Sequence, residues 1–165
     1  MNTYLFTCSA LATMCLSLAG CGGESPGPSS TTNLADDVDA CTLLTAADIT
    51  ATTGITPGEL ERPNPGLNNC QWPAPGSPVP LVYIGMSYKT ADSWEEYRKG
   101  MIENDLGDPD EEGERIDIGV FGHYRPDSAV IQVHTTQGPL ITLRVRGGDK
   151  TQIVELANKA AARLP

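Results

Sequence analysis

The chain has 165 residues, of which 39% are hydrophobic, and a formal net charge of −10. This length suffices for one domain with a modest core. So acidic a chain is repelled by nucleic acid and by anionic lipid headgroups, and the composition therefore argues against nucleic acid as a partner.

The chain begins with an uncharged apolar segment. Residues 1–20 contain no Asp, Glu, Lys or Arg, and their apolar run is shorter than the roughly 20 residues that a transmembrane helix needs. This pattern predicts a signal peptide. The segment ends in Leu18-Ala19-Gly20-Cys21, which resembles the lipobox of bacterial lipoproteins. That resemblance implies cleavage before Cys21 and palmitate or related acyl chains on this cysteine, with an ordinary secretory signal as the alternative.

The segment after Cys21 is rich in Gly, Pro, Ser and Thr over residues 22–33. Such a composition cannot bury apolar surface, so we expect a flexible lipidated tether over residues 21–35. A single domain is then expected over residues 36–165. The predicted location is extracytoplasmic, with a lipid anchor in the cell membrane, or in the outer membrane if the source has one.

The five cysteines divide into three groups by expected role. Cys8 and Cys15 lie in the leader, and Cys21 is the expected lipid carrier. Cys41 and Cys70 remain, an even pair in a chain bound for an oxidising compartment, and we expect them to form a disulfide. Such a bond stabilises a fold by roughly 3–4 kcal/mol. A redox-active pair and two metal ligands are the alternatives, although the spacing is far from C-x-x-C.

The first elements of the domain are a short helix and two strands. Thr45 and Asp48 form a capping-box pattern, and Gly54 is placed to end the helix. The next two apolar segments lie between Pro- and Gly-rich loops and predict strands at residues 69–72 and 81–88.

The second part of the domain alternates helix, strands and helix. An amphipathic helix begins at Asp92 or Ser93, and an acidic, turn-rich loop follows at residues 103–114. Three alternating segments then predict strands at residues 116–120, 129–135 and 140–146. A last amphipathic helix begins at Asp149 or Thr151.

This order of elements predicts an α+β fold. We expect an antiparallel sheet of about four to five strands and one disulfide. A short N-terminal helix, a middle helix and a C-terminal helix are expected to pack on one face of the sheet.

The domain opens with Asp39-x-Cys41-x-Leu43-Leu44-Thr45-x-x-Asp48-Ile49, followed by Gly54 and by Cys70-x-Trp72. Together with the closing Leu156-Ala157-x-x-Ala160 helix, these residues resemble the actinobacterial-type secreted lipoproteins of the domain-of-unknown-function 3558 family. The resemblance covers most of residues 36–165. It implies a lipidated or secreted envelope protein without an established activity, and it supports pairing Cys41 with Cys70.

One strand face carries polar and basic side chains. The residues concerned are Gln132, His134, Thr142, Arg144 and Arg146. If the helices cover only the apolar face, this face is open and can receive an anionic ligand or a partner protein. The alternative is a solvated face whose arginines pair with nearby acids such as Asp117.

Metal and cofactor signals are weak. His123 and His134 have no further ligand at metal-binding spacing. Asp108-x-Asp110-x-x-Gly113 begins like a calcium-binding EF-hand loop, but Gly119 stands where the bidentate Glu is needed. We therefore expect no metal and no cofactor, and a solvated acidic loop.

No motif of an enzyme family is present: the chain has no G-x-S-x-G, no P-loop and no G-x-G-x-x-G. We therefore expect a non-enzymatic envelope module that binds a partner or ligand, attached to the membrane through the lipid on Cys21. A purely structural lipoprotein without a ligand site is one alternative. A minor hydrolase is an alternative from another class.

Overall fold

The computed structural model describes residues 37–88, 91–136 and 138–165. The predicted signal peptide, Cys21 and the tether lie outside these residues. The strands are β1 Asn69–Pro73, β2 Pro80–Tyr88, β3 Glu114–Ile116, β4 Phe121–Arg125, β5 Val130–His134 and β6 Pro139–Val145. The helices are α1 Ala46–Thr53, α2 Trp94–Glu103, α3 Pro109–Glu112 and α4 Lys150–Ala161, with 3₁₀ turns at Ala40–Thr42 and Pro126–Ser128.

All six strands form one antiparallel sheet in the order β1-β2-β6-β5-β4-β3. The predicted α+β class with an antiparallel sheet is confirmed, with six strands instead of four or five. The long strands β2 and β6 pair at the centre, where Tyr83 lies opposite Arg144 and Gly85 opposite Thr142. Because strand side chains alternate, these four residues share one face of the sheet.

The additional strand arises where the sequence predicts a single strand over residues 116–120. The chain instead turns between β3 and β4, and Gly119 takes the left-handed conformation with φ of 63°. A side chain at this position is excluded, because its Cβ would lie 2.6 Å from the carbonyl oxygen of His134. Ile116, Ile118 and Val120 alternate in the sequence as strand residues do. Ile118 nevertheless lies in the turn between β3 and β4, where its side chain is buried.

The helices begin at the residues that the sequence favours. Thr45 accepts a hydrogen bond from the backbone N–H of Asp48, whose carboxylate accepts one from the backbone N–H of Thr45, so the capping box is complete. Ser93 rather than Asp92 caps α2, and Asp149 rather than Thr151 caps α4. Gly54 ends α1 with φ of 73°.

The main core lies between one sheet face and the helices α1 and α4. On the sheet side it includes Val82, Ile84, Ile131, Val133, Ile141, Leu143 and Val145. From α4 it receives Ile153, Leu156, Ala157 and Ala160, all fully buried. Each large aliphatic side chain buried in this way contributes about 1.5–3 kcal/mol to folding, so this layer is the main source of stability.

The cysteine pair joins the first 3₁₀ turn to the sheet. Cys41 and Cys70 form a disulfide with their Cα atoms 5.3 Å apart, as expected from the sequence. The bond fixes the N-terminal segment of the described chain to β1.

The middle helix packs on the other face of the sheet, which differs from the expected arrangement with all helices on one face. Trp94 and Tyr97 of α2 contact Phe121 of β4, with ring centroids 5.5 and 5.6 Å apart. Phe121 points away from the main core, and Trp94, Tyr97 and Phe121 form a second, smaller apolar cluster. Packing of α2 against this face shields the cluster from water.

Candidate functional site

The second face of the sheet is divided by α2 into two parts. The covered half consists of Phe121, His123, Gln132 and His134, which lie beneath Tyr97 of α2. The open half consists of Tyr83, Thr142, Arg144 and Arg146, over which no helix of the described chain lies. Gln132 and Thr142 are register partners, so the boundary runs between β5 and β6.

The covered half is a buried polar and aromatic cluster. The hydroxyl of Tyr97 lies 3.0 Å from Nδ1 of His123 and donates to Oε1 of Gln132 at 3.2 Å. His134 stacks on Phe121 with ring centroids 4.0 Å apart and is fully buried. The cluster joins α2 to β4 and β5, and its role in the fold is to hold that helix.

Burial sets the protonation of this cluster. It lowers the pKa of His123 below the usual value, and the nearby charge of Arg125 lowers it further. The carbonyl of Pro109 and the carboxylates of Glu112 and Asp110 act in the opposite direction. Burial also raises the pKa of Tyr97. Both groups are therefore favoured in their neutral forms.

The open half forms the floor of a cleft of about 600 Å³. Its walls and floor are made by Val79, Pro80, Leu81, Tyr83, Val130, Thr142, Arg144 and Arg146. The volume falls within the range of about 300–1,000 Å³ that is usual for small-molecule sites. None of these residues is Asp, Glu, His, Cys or Lys, so the cleft combines arginines, hydroxyls and apolar surface.

Strand geometry places the two arginines side by side. Arg144 lies on β6 between Tyr83 of β2 and Val130 of β5. Arg146 follows the end of β6, where its backbone N–H donates to the carbonyl of Leu81 at 2.8 Å. Residues two apart on a strand point to the same side, about 7 Å from each other. Both guanidinium groups therefore stand over one patch of the sheet.

Counterions are distributed unevenly in this acidic protein. Other Lys and Arg residues of the described chain pair as follows: Arg62 with Asp39, Arg98 with Asp108 and Asp110, Lys99 with Glu103, Arg125 with Glu112, Lys150 with Glu114, Lys159 with Glu155 and Arg163 with Asp48. Arg115 lies over the ring of Trp94. Arg144 and Arg146 have no ion pair within the described ranges, and Asp117 is not their partner. Of the described Lys and Arg side chains, three have no carboxylate partner, and two of these three, Arg144 and Arg146, lie together in the cleft.

Tyr83 lies along the sheet instead of pointing away from it. A Cβ built on Gly85 would meet the Tyr83 hydroxyl at 2.8 Å and two ring carbons at 3.3 Å. The glycine therefore makes room for the aromatic ring, which covers the strand and forms part of the cleft floor. Tyr83 is not among the residues predicted for the binding face, although strand alternation places it on the face opposite to the apolar Val82 and Ile84, both of which are buried.

The five residues predicted for the binding face separate in the structure. Thr142, Arg144 and Arg146 line the cleft together. Gln132 is half-buried under Tyr97, and His134 is fully buried, so both belong to the covered half. The expectation of a fully open face is corrected by the position of α2.

The acidic loop and the cysteine pair offer no better site. Asp108 caps the short α3 and, like Asp110, pairs with Arg98, so both carboxylates of the EF-hand-like pattern are engaged in ion pairs. One group in the described chain has ligand atoms within 4.8 Å of one another, namely Asp39, Cys41 and Cys70. Its sulfurs are joined in the disulfide and its carboxylate pairs with Arg62, so these residues do not fit a metal.

Comparison with known proteins gives no relative. No family model, no curated protein and no solved structure matches the chain. The resemblance to the domain-of-unknown-function 3558 family therefore stays a prediction. No helix in the described part of the chain is long and apolar enough to cross a membrane.

Proposed function

We propose that this protein is a non-catalytic binding module, held outside the cytoplasm by lipid on Cys21, whose cleft over β2 and β6 binds an anionic ligand. The observation that carries the proposal is the pair of arginines, Arg144 and Arg146, which have no counterion among the described residues and lie in a cleft of an acidic protein.

Electrostatics supports an anion at this place. The chain has a net charge of −10, so an anion is repelled from most of its surface. Two adjacent guanidiniums reverse that field locally, and each can donate two parallel hydrogen bonds to a carboxylate, sulfate or phosphate. Charge-assisted hydrogen bonds of this kind contribute about 1.5–3 kcal/mol each.

The composition of the cleft favours binding over hydrolysis. A hydrolase needs a nucleophile with a general base close to it, and the described residues that line the cleft include no His, Asp, Glu or Cys. His123, the buried histidine of the covered half, contacts Tyr97 rather than the cleft. A structural lipoprotein without a ligand is the second candidate, and it predicts that the two arginines bind nothing.

The anchor rests on sequence features. The leader over residues 1–20 and the lipobox ending at Cys21 favour export and lipidation. The Cys41–Cys70 disulfide is consistent with an oxidising compartment. The membrane is then the first partner, reached through the lipid, and an anionic ligand or an acidic envelope protein is the second.

Calorimetric titration of the full chain with inorganic sulfate tests the site. We expect Arg144→Gln with Arg146→Gln to weaken sulfate binding at least about tenfold, since charge-assisted hydrogen bonds are lost. The matched control is Lys99→Gln with Lys150→Gln, which removes the same charge from exposed residues outside the cleft. If both double variants bind sulfate like the unmodified chain, the proposed site is wrong.

Cell fractionation tests the anchor. We expect Cys21→Ser to move the protein from the detergent-soluble membrane fraction to the soluble extracytoplasmic fraction, because the acyl chains are its membrane attachment. Cys15→Ser is the control, since this cysteine is expected to leave with the leader. Membrane retention of the Cys21→Ser protein contradicts the lipid anchor.

A further inference from the structure

We propose that the ligand of the cleft is an amphipathic small molecule, a single oxyanion group carried on an apolar body. This inference rests on the proposed function and adds the ligand class. The head is assigned to the two arginines, and the body is assigned to the surface formed by Tyr83, Val130 and the segment Val79–Leu81.

The polar side chains of the cleft are suited to an acceptor. Arg144 and Arg146 can only donate hydrogen bonds, and the hydroxyls of Thr142 and Tyr83 can donate as well. Within the described residues, neither hydroxyl is engaged in a hydrogen bond with another side chain or with the backbone. No carboxylate of the described chain lines the cleft to compete for these donors. A ligand rich in acceptors and without donors, such as a carboxylate, sulfonate or phosphate group, matches this lining.

A bare inorganic ion at the two arginines would leave the remaining, mostly apolar surface of the cleft in contact with water. Apolar atoms supply most of the accessible surface of the cleft, and Val79 on its wall is 39% exposed. A ligand that covers this surface gains the free energy of removing it from water. The apolar wall and the cationic rim lie in one cleft, so a single molecule with both chemistries can engage both.

The aromatic floor favours a flat apolar body. Tyr83 lies on the sheet because Gly85 has no side chain, and it lies directly opposite Arg144 in the strand register. A ring placed on this floor can hold its anionic substituent over the neighbouring guanidinium. Aromatic groups in such offset contact attract each other beyond the effect of the buried area alone.

Three probes separate head from body in calorimetric titrations of the full chain. Naphthalenesulfonate carries both parts, inorganic sulfate carries the head alone, and naphthalenemethanol carries the body alone. We expect naphthalenesulfonate to bind at least about tenfold more tightly than either of the others. Replacement of Arg144 and Arg146 with Gln is expected to weaken the binding of both sulfate and naphthalenesulfonate.

Gly85→Ala tests the floor without touching a charge. The added methyl group must displace the end of the Tyr83 side chain, because no backbone atom is among its nearest contacts. We expect the binding of naphthalenesulfonate to weaken more than the binding of sulfate, because the apolar body loses its floor while the oxyanion keeps both arginines. Tyr83→Ala is the second variant, with the same expectation, and circular dichroism of both variants establishes that they are folded.

The outcomes distinguish this inference from the proposed function. If sulfate and naphthalenesulfonate bind equally well and both need the arginines, the anion site stands and the amphipathic ligand is wrong. If sulfate, naphthalenesulfonate and anionic phosphatidylglycerol vesicles all fail to bind, the proposed function fails as well. Vesicles of phosphatidylglycerol and of phosphatidylcholine form a separate arm. Arginine-dependent binding to the anionic vesicles alone, without binding of naphthalenesulfonate, would assign the site to a lipid headgroup and overturn the soluble ligand.

Discussion

The covered and open halves of the second sheet face start from the same strand pattern and end differently. Both present polar side chains at alternate positions of neighbouring strands, and Gln132 and Thr142 even form a register pair across their boundary. Yet α2 lies over Gln132 and leaves Thr142 in the cleft. Because the backbone environment is shared, the difference must come from the side chains.

The chemical distinction is whether a side chain can be buried in neutral form. The covered half contains Phe121 and His123, and a histidine loses its charge when it is dehydrated. The open half contains Arg144 and Arg146, and a guanidinium stays charged at any physiological pH. Burying an unpaired charge costs several kcal/mol, so a helix over this half is unfavourable. The open half is thus kept accessible by its arginines.

The largest effect that this comparison predicts is on stability, from truncation of the covered half. Phe121 is 1% exposed and contacts Trp94, Tyr97 and His134. We expect Phe121→Ala to reduce the free energy of unfolding by about 3–5 kcal/mol, because it leaves a cavity under α2. Urea unfolding followed by circular dichroism measures this change.

The matched control is Val79→Ala on the wall of the open half. Its side chain is 39% exposed, and we expect a loss below about 0.5 kcal/mol. Equal losses for the two variants would mean that the two halves do not differ in packing.

The second prediction concerns pH and the histidine of the covered half. Burial lowers the pKa of His123 in the folded protein, so the unfolded chain binds this proton first as the pH falls. The free energy of unfolding should therefore decrease as the pH drops below about 6.5. His123→Phe keeps an aromatic ring and removes the group that binds the proton. The free energy of unfolding of this variant should therefore decrease less between about pH 7.5 and about pH 5 than that of the unmodified chain.

The same urea titrations at the two pH values provide the control. Arg144→Gln lies in the open half and should retain the pH dependence of the unmodified chain. The carboxylate of Asp48 does not interfere, because its hydrogen bonds with Arg163 hold its pKa at about 2. Its protonation destabilises the fold only at a pH well below the range of these titrations. An unchanged pH dependence in His123→Phe would show that this histidine is not responsible.

Much of the fold was accessible from the sequence, because local rules determine it. The caps at Thr45 and Ser93, the glycine at Gly54 and the alternation of β6 depend on neighbours in the chain. The turn at Gly119 was missed, because the alternation of apolar residues continues through it and hides the left-handed residue.

The site was predictable only in part for a related reason. Arg144, Arg146 and Thr142 share a face by strand alternation, which the sequence displays directly. Which half of that face α2 covers depends on contacts between Tyr97 and residues far along the chain, such as Gln132. Amphipathicity of a helix identifies its apolar side but not the sheet face that receives it.

The smallest expected effect is on the stability of the open half itself. Arg144 and Arg146 are exposed and make no ion pair within the described chain, so replacing both with Gln removes no folded-state interaction that involves their charge. We expect the free energy of unfolding to change by less than about 0.5 kcal/mol, in either direction, because surface changes away from packing and caps have effects of this size. Saturating sulfate should then stabilise the unmodified chain and not the double variant, since only a ligand bound to the folded state shifts the equilibrium. A large loss of stability in the double variant without ligand would show that the arginines hold the fold together, and the open half would then be structural like the covered one.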